Sequence, residues 1–263
     1  MGLNIDNEAA GDLSGLSLSL SADGQTVAIG ARKNDGNGDN SGHTRIYHWT
    51  GSTWQQLGLD IDGEAAGDQS GFSVSLSADG QIVAIGAAIN DGNGFNSGHV
   101  RIHSWDGSAW NQLGSDIDGE SAGDQSGRSV SLSADGQTVA IGANFNDRNG
   151  DNSGHTRIYH WTGSAWQQVG LDVDGEAAGD QSGVSVSLSA DGQTVAIGAF
   201  SNNVNKADSG HTRIYQLTPS ASSLSTATDT ISIGVTPVND VPTLDALSDV
   251  NINEDDPEQT VNL

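Results

Sequence analysis

Ser19-Leu20-Ser21-Ala22-Asp23-Gly24-Gln25 returns at Ser75, Ser131 and Ser187, each time after 56 residues. The repetition extends outward from it. Ala-Ile-Gly-Ala begins at Ala28, Ala84, Ala140 and Ala196, and Ser-Gly-His at Ser41, Ser97, Ser153 and Ser209. A fixed period of this size marks an array of one supersecondary unit, in which stacked neighbours complete a core that no single unit can bury.

Each full unit carries four strand signals, which in the second unit are Phe72–Ser77, Ile82–Ala87, His99–Trp105 and Trp110–Ile117. The first two alternate in apolar character and flank Ala78-Asp79-Gly80. Asp-Gly between such runs predicts a hairpin, because glycine accepts the positive φ of a tight turn. The other two flank Trp105-Asp106-Gly107-Ser108-Ala109-Trp110, a second hairpin that sets two tryptophans opposite each other, as Trp49 with Trp54 and Trp161 with Trp166. No stretch has helical period, and proline is absent before Pro219. The expected fold is all-β: a β-propeller of four 56-residue repeats with four-stranded blades.

The ends of the array are offset. Residues 2–12 match 58–68, so the chain opens on the tail of a unit, whereas the last unit leaves the pattern after Leu217 without its fourth strand. Residues 2–6 are therefore expected to pair with 212–217 and close the ring, removing an open sheet edge. The other arrangement is an open piece of a larger propeller. Residues 1–217 form the propeller on this reading, and 218–263 an extended tail with all four prolines, eight acids and no base. Starting inside a repeat, the chain reads as a slice of a longer polypeptide with further domains.

With 34 acidic against 9 basic residues, a formal charge of −25 repels nucleic acid and anionic membrane and attracts cations. There is no cysteine, hence no disulfide, thiolate nucleophile or cysteine-bound zinc. No apolar run reaches the length of a membrane span, and the first residues lack the basic and apolar regions of a signal peptide.

Ser70-Gly71-Phe72-Ser73-Val74 and Val83-Ala84-Ile85-Gly86-Ala87 resemble the Phe-Gly-x-Ser-Val and Gly-Ala-Pro segments of the FG-GAP repeat of integrin-like propellers. The resemblance covers about residues 1–217. That family often holds Ca²⁺ in the loop between these strands through Asp-x-Asp-x-Asp-Gly. Here the loop is the bare turn Ala78-Asp79-Gly80, so the site is not carried over at that position. In the tail, Val238-Asn239-Asp240-Val241-Pro242-Thr243-Leu244 and Asn253-Glu254-Asp255-Asp256 are similar to the linker and acidic opening strand of bacterial cadherin-like or immunoglobulin-like adhesin repeats. This implies a large secreted or cell-surface protein.

Two acidic loops are candidate Ca²⁺ sites, since that ion takes six to eight oxygens. Asp35, Asn37 and Asp39 alternate as ligands do in an EF-type loop, and Asp147, Asn149 and Asp151 repeat them. A gly/asn-rich surface loop is the competing reading. The second set is Asp60, Asp62, Glu64 and Asp68, with equivalents Asp116, Asp118, Glu120 and Asp124, and Asp172, Asp174, Glu176 and Asp180. Asp60 and Asp62 share a strand face, and Glu64 and Asp68 are expected to fold back over the crossing to gather round one ion. The histidines of Ser-Gly-His are read as structural.

Catalysis needs different groups converging on one place. Here nearly every polar group recurs in equivalent copies, so no catalytic residue is assigned and no enzyme is expected. The residues that break the symmetry are Arg32, Lys33, Phe95, Arg128, Arg148 and Lys206, most of them at the long loops. The expectation is a non-catalytic, Ca²⁺-stabilised adhesion module, extracellular or at the cell surface, binding a protein or glycan through its loop face. A structural spacer and a polysaccharide-active enzyme are the other possibilities.

Overall fold

The computed structural model describes residues 4–6, 9–203, 206 and 209–217, all strand, turn or irregular. The chain divides into two compact units, 1–221 and 222–263. The second lies wholly outside the described residues, as do the adhesin-like tail from 218 and its expected strand at 230–235.

The first unit contributes β1 (Ser17–Leu20), β2 (Thr26–Ala31), β3 (His43–Trp49), β4 (Trp54–Gln56) and β5 (Ile61–Asp62). The second repeats this as β6 (Ser73–Leu76), β7 (Ile82–Ala87), β8 (His99–Trp105), β9 (Trp110–Gln112) and β10 (Ile117–Asp118). The third gives β11 (Ser129–Leu132), β12 (Thr138–Ala143), β13 (His155–Trp161), β14 (Trp166–Gln168) and β15 (Val173–Asp174). The fourth stops at β16 (Ser185–Leu188), β17 (Thr194–Ala199) and β18 (His211–Gln216). Each unit is one antiparallel meander, and the last sheet has three strands among the described residues.

The expected single fourth strand, Trp110–Ile117 in the second unit, is two pieces. β9 and β10 both pair with β8, at opposite ends of it. The break falls where Gly114 takes φ +81, outside the range of a strand, and where any β-carbon would press on Trp161 of the next unit. Both predicted hairpins form. At the first, the Asp79 carboxylate accepts hydrogen bonds from Ser77 Oγ and the Gln81 amide, and Gly80 sits at φ +70. At the second, Trp105 and Trp110 pair across the strands with ring centroids 5.5 Å apart.

The core lies between blades. Val74, Leu76, Val83 and Ile85 on one face of the second blade pack against Ala28 and Ile46 of the first, and the next two seams repeat the arrangement. Polar contacts follow the same period. The Ala22 amide donates to the Ala78 carbonyl, Ala78 to Ala134 and Ala134 to Ala190, at 2.8, 2.8 and 2.9 Å. The first strands of all four blades line one shared hollow. The architecture is a propeller arc of repeated blades. The expected closing pairing of residues 2–6 with 212–217 is not confirmed: β18 pairs only with β17 among the described residues, Asn4–Asp6 form no strand, and residues 2 and 3 lie outside the description.

Candidate functional site

The long loop after the second strand of each blade and the crossing to the next blade lie together at one end, and asparagines tie them. Asn37 Nδ2 donates to the carbonyls of Gly63 and Glu64, Asn93 to those of Gly119 and Glu120, and Asn149 to those of Gly175 and Glu176. The Asp35 carboxylate accepts the Asn40 amide at 2.7 Å, and Asp147 that of Asn152. The first candidate loop thus spends Asp35, Asn37, Asp147 and Asn149 on its own architecture. Neither Asp39 nor Asp151 joins a group of metal-ligating type among the described residues.

The second set divides rather than gathering within a unit. Asp68, Asp124 and Asp180 are buried, each accepting a backbone amide from its own loop. Asp124 and Asp180 also accept from Asn146 and Asn202 of the following blade. Burial raises the Asp124 pKa against these hydrogen bonds. Glu64 and Glu120 are carried by the crossing onto the next blade, away from the Asp60 and Asp116 of their own units. There they meet a histidine. Glu64, His99 and Asp116 form one cluster, Glu120, His155 and Asp172 a second, and His43, Asp60 and Asp62 a third. Glu176 approaches His211 at 3.6 Å in the last seam. Asp118 and Asp174 stay outside these clusters and accept Arg157 and Arg213 through their backbone carbonyls.

The histidines were invisible as site residues because Ser-Gly-His repeats too regularly to single out a role. They sit at the start of each third strand, and His43, His99 and His155 are buried. Burial, aided by Arg101, lowers the His99 pKa, and burial with Arg157 pushes His155 down to about 4. Both imidazoles are therefore neutral near pH 7. His99 Nδ1 lies 3.8 Å from a carboxylate oxygen of Glu64 and 3.8 Å from one of Asp116. These gaps exceed a hydrogen bond and suit ligands of one ion. Guanidinium groups stand at all three clusters: Arg101 Nη1 lies 3.7 Å from Glu64, beyond hydrogen-bond reach, whereas Arg45 grips Asp60 with two hydrogen bonds and Arg148 pairs with Asp172.

A second feature lies at the mouth of the shared hollow. Leu16, Phe72, Arg128 and Val184 occupy equivalent positions at its rim, so this is where the units differ. The guanidinium carbons of Arg32 and Arg128 stand 5.0 and 4.5 Å from the Phe72 ring centroid. Arg32 Nη1 donates to Gln69 Oε1 at 2.9 Å, and Gln69 holds φ +55, which an L-residue takes only under constraint. Burial, with Arg32 adding to it, lowers the Arg128 pKa. Phe95 projects separately, 72% exposed, at the tip of its loop.

The FG-GAP repeat model matches residues 115–159. No curated protein matches the chain. Among solved structures, a candidate 6-phosphogluconolactonase from Bacteroides uniformis is similar with a TM-score of 0.51 at 13% identity, over 76% of this chain and 49% of that one. Hydrazine synthase from Kuenenia stuttgartiensis aligns with a TM-score of 0.46 at 15% identity, over 70% and 49%. The chain spans about half the length of the solved structures it matches. At this identity the likeness concerns fold alone, and what the chain presents is a propeller arc with an FG-GAP repeat at 115–159.

Proposed function

We propose that the chain is a non-catalytic binding module of adhesion type, part of a larger secreted or cell-surface polypeptide, engaging an extracellular protein or glycan through its loop face. The observation that carries this reading is the Arg32–Phe72–Arg128 cluster. Two of nine basic residues converge on one aromatic ring in a chain of charge −25. An aromatic face between guanidinium groups suits a ligand with a ring or apolar patch and an acidic group, such as an acidic sugar or a carboxylate side chain. Repetition of the remaining polar groups argues against a catalytic site. Arrays of acidic glycans and acidic peptides test the reading. A binder should weaken at least about tenfold in Arg128→Gln, the loss of roughly 1.4 kcal/mol. No binder, or binding indifferent to Arg32 and Arg128, overturns it.

Cation stabilisation belongs to the same proposal, with Ca²⁺ held at the seams and the Glu64–His99–Asp116 cluster as the best-suited place. A second reading rests on the imidazole: a nitrogen ligand favours a borderline ion such as Zn²⁺ over oxygen-seeking Ca²⁺. Melting with chelator, Ca²⁺ or Zn²⁺ separates the two, because a ligand of the native state adds RT ln(1 + [L]/Kd) to stability. The stabilising ion should lose its effect in Asp116→Asn. No shift with either ion sinks the cation proposal while leaving the Arg128 test intact.

A further inference from the structure

The two ends of the arc present the two halves of the seam that the interior completes three times. On the second blade Val74 and Leu76 are 8% and 7% exposed, whereas their equivalents on the first, Leu18 and Leu20, are 62% and 55% exposed. At the other end Ile214 is 71% exposed, although Ile46, Ile102 and Ile158 are 0–2% exposed within seams. Large apolar side chains in register on two sheet faces are uncommon on a protein surface without a partner.

Finer features of the seam recur at these ends with no described residue filling them. A β-carbon on Gly30, Gly86 or Gly142 would overlap the carbonyl of Gly71, Gly127 or Gly183 on the following blade, so each glycine is a socket for that carbonyl. Gly198 keeps the socket, but among the described residues only its own sheet neighbour Ser185 lies near it. Ser17, Ser73 and Ser129 donate to those same carbonyls at 2.7–2.8 Å. Ser185 makes no such bond among the described residues. The alanine ladder likewise stops at Ala190, whose carbonyl accepts from Ala134 while its amide finds no acceptor among the described residues.

We propose that a second copy of this chain completes the seam, the fourth blade of one copy docking on the first blade of the other, at both ends, to form a ring of two arcs. The established interface supplies the register. Gly15 of the second copy enters the Gly198 socket, the Ala190 amide meets Ala22 of the second copy, and Leu18 and Leu20 of the second copy cover Ile214. The contact is heterologous, one kind of face against another, and two such contacts close a ring only if each arc spans half of it. Repulsion between two chains of charge −25 opposes the association, so it strengthens as salt screens it, over about 8 Å at physiological ionic strength.

The test uses the full chain, which has no cysteine of its own. In each interior seam a Leu amide meets a Ser hydroxyl, as Leu76 meets Ser19 at 3.0 Å, so Ser187→Cys combined with Leu20→Cys places one thiol on each end face. Under mild oxidation the proposal expects a disulfide-linked dimer, twice 26.9 kDa on a non-reducing gel. A cross-linked monomer would show that the four blades close on themselves, and no cross-link would show that the faces do not meet; either outcome overturns the proposal. Sedimentation of unmodified variants gives an independent reading. Leu18→Glu and Ile214→Glu should each be monomeric alone and dimerise when mixed, because the mixture retains one intact seam. Both positions are solvent-exposed within one arc, so circular dichroism should show each variant folded. A monomeric wild type, or a mixture that stays monomeric, counts against the proposal.

Discussion

His99 Nδ1 and the Glu64 carboxylate stand 3.8 Å apart across a blade seam, a neutral imidazole facing an anion without a hydrogen bond. The same relation joins His155 to Glu120. Each histidine is kept uncharged by burial despite acidic neighbours.

This has a pH consequence. The His155 pKa falls from the ordinary 6.5 to about 4 on folding, and that of His103, also through burial, to about 4. The unfolded chain then binds more protons than the folded one between these values, so stability is full above pH 6.5 and declines as pH falls towards about 4. The groups facing His155 are Glu120, Arg148, Arg157 and Asp172, and none of their carboxylates offsets the burial. Urea unfolding across this range should show the decline, and His155→Gln should make it shallower. An unchanged midpoint down to pH 4 would contradict the neutral buried imidazoles.

Gly142 and Gly198 offer a matched pair. Alanine at Gly142 would collide with the Gly183 carbonyl of the next blade and should cost several kcal/mol, beyond the roughly 1–3 kcal/mol typical of overpacking. Gly198→Ala meets, among the described residues, only Ser185 of its own sheet and should cost clearly less in a monomer. Urea midpoints of the two variants, compared at low protein concentration, decide it. Equal losses would show that the glycines serve the strand rather than the seam.

Trp110 and Trp166 tie consecutive units. Trp110 Nε1 donates to the Leu57 carbonyl at 2.8 Å, and Trp166 to Leu113 at 2.7 Å. Trp110→Phe keeps an aromatic partner for Trp105 but removes the donor, and should cost about 0.5–1.5 kcal/mol. Trp110→Ala removes both and should cost more, with a loss of the tryptophan–tryptophan signal in near-ultraviolet circular dichroism. Identical midpoints for the two variants would assign the whole effect to the lost hydrogen bond and none to the ring.

Asp124 ties two blades together and lies outside the groups of metal-ligating type among the described residues. Removing it in Asp124→Ala strands the Asn146 amide and the Ser121 N–H, at a cost of about 1–3 kcal/mol. The response of the melting temperature to Ca²⁺ or Zn²⁺ should be the same as in the unmodified chain. A lost cation response in this variant would return Asp124 to the metal site.

The sequence by itself determined the unit. The 56-residue period, Asp79-Gly80 and the paired tryptophans led to blades, hairpins and registers, because these depend on contacts within a few residues along the chain. It also showed that the repeat pattern stops after Leu217. The strand break at Gly114 was not legible, since it answers to Trp161 of another unit. Tertiary structure alone decided the partners of Glu64 and Glu120. Spacing assigned them to the aspartates of their own unit, whereas the crossing delivers them to the next blade's histidine. It also brought Arg32 and Arg128, 96 positions apart in the chain, onto Phe72, and left Leu18 and Ile214 uncovered. The physical reason is the same in each case: a blade buries its faces only against a neighbour, so the seams, where the candidate sites lie, are made by units a full repeat apart.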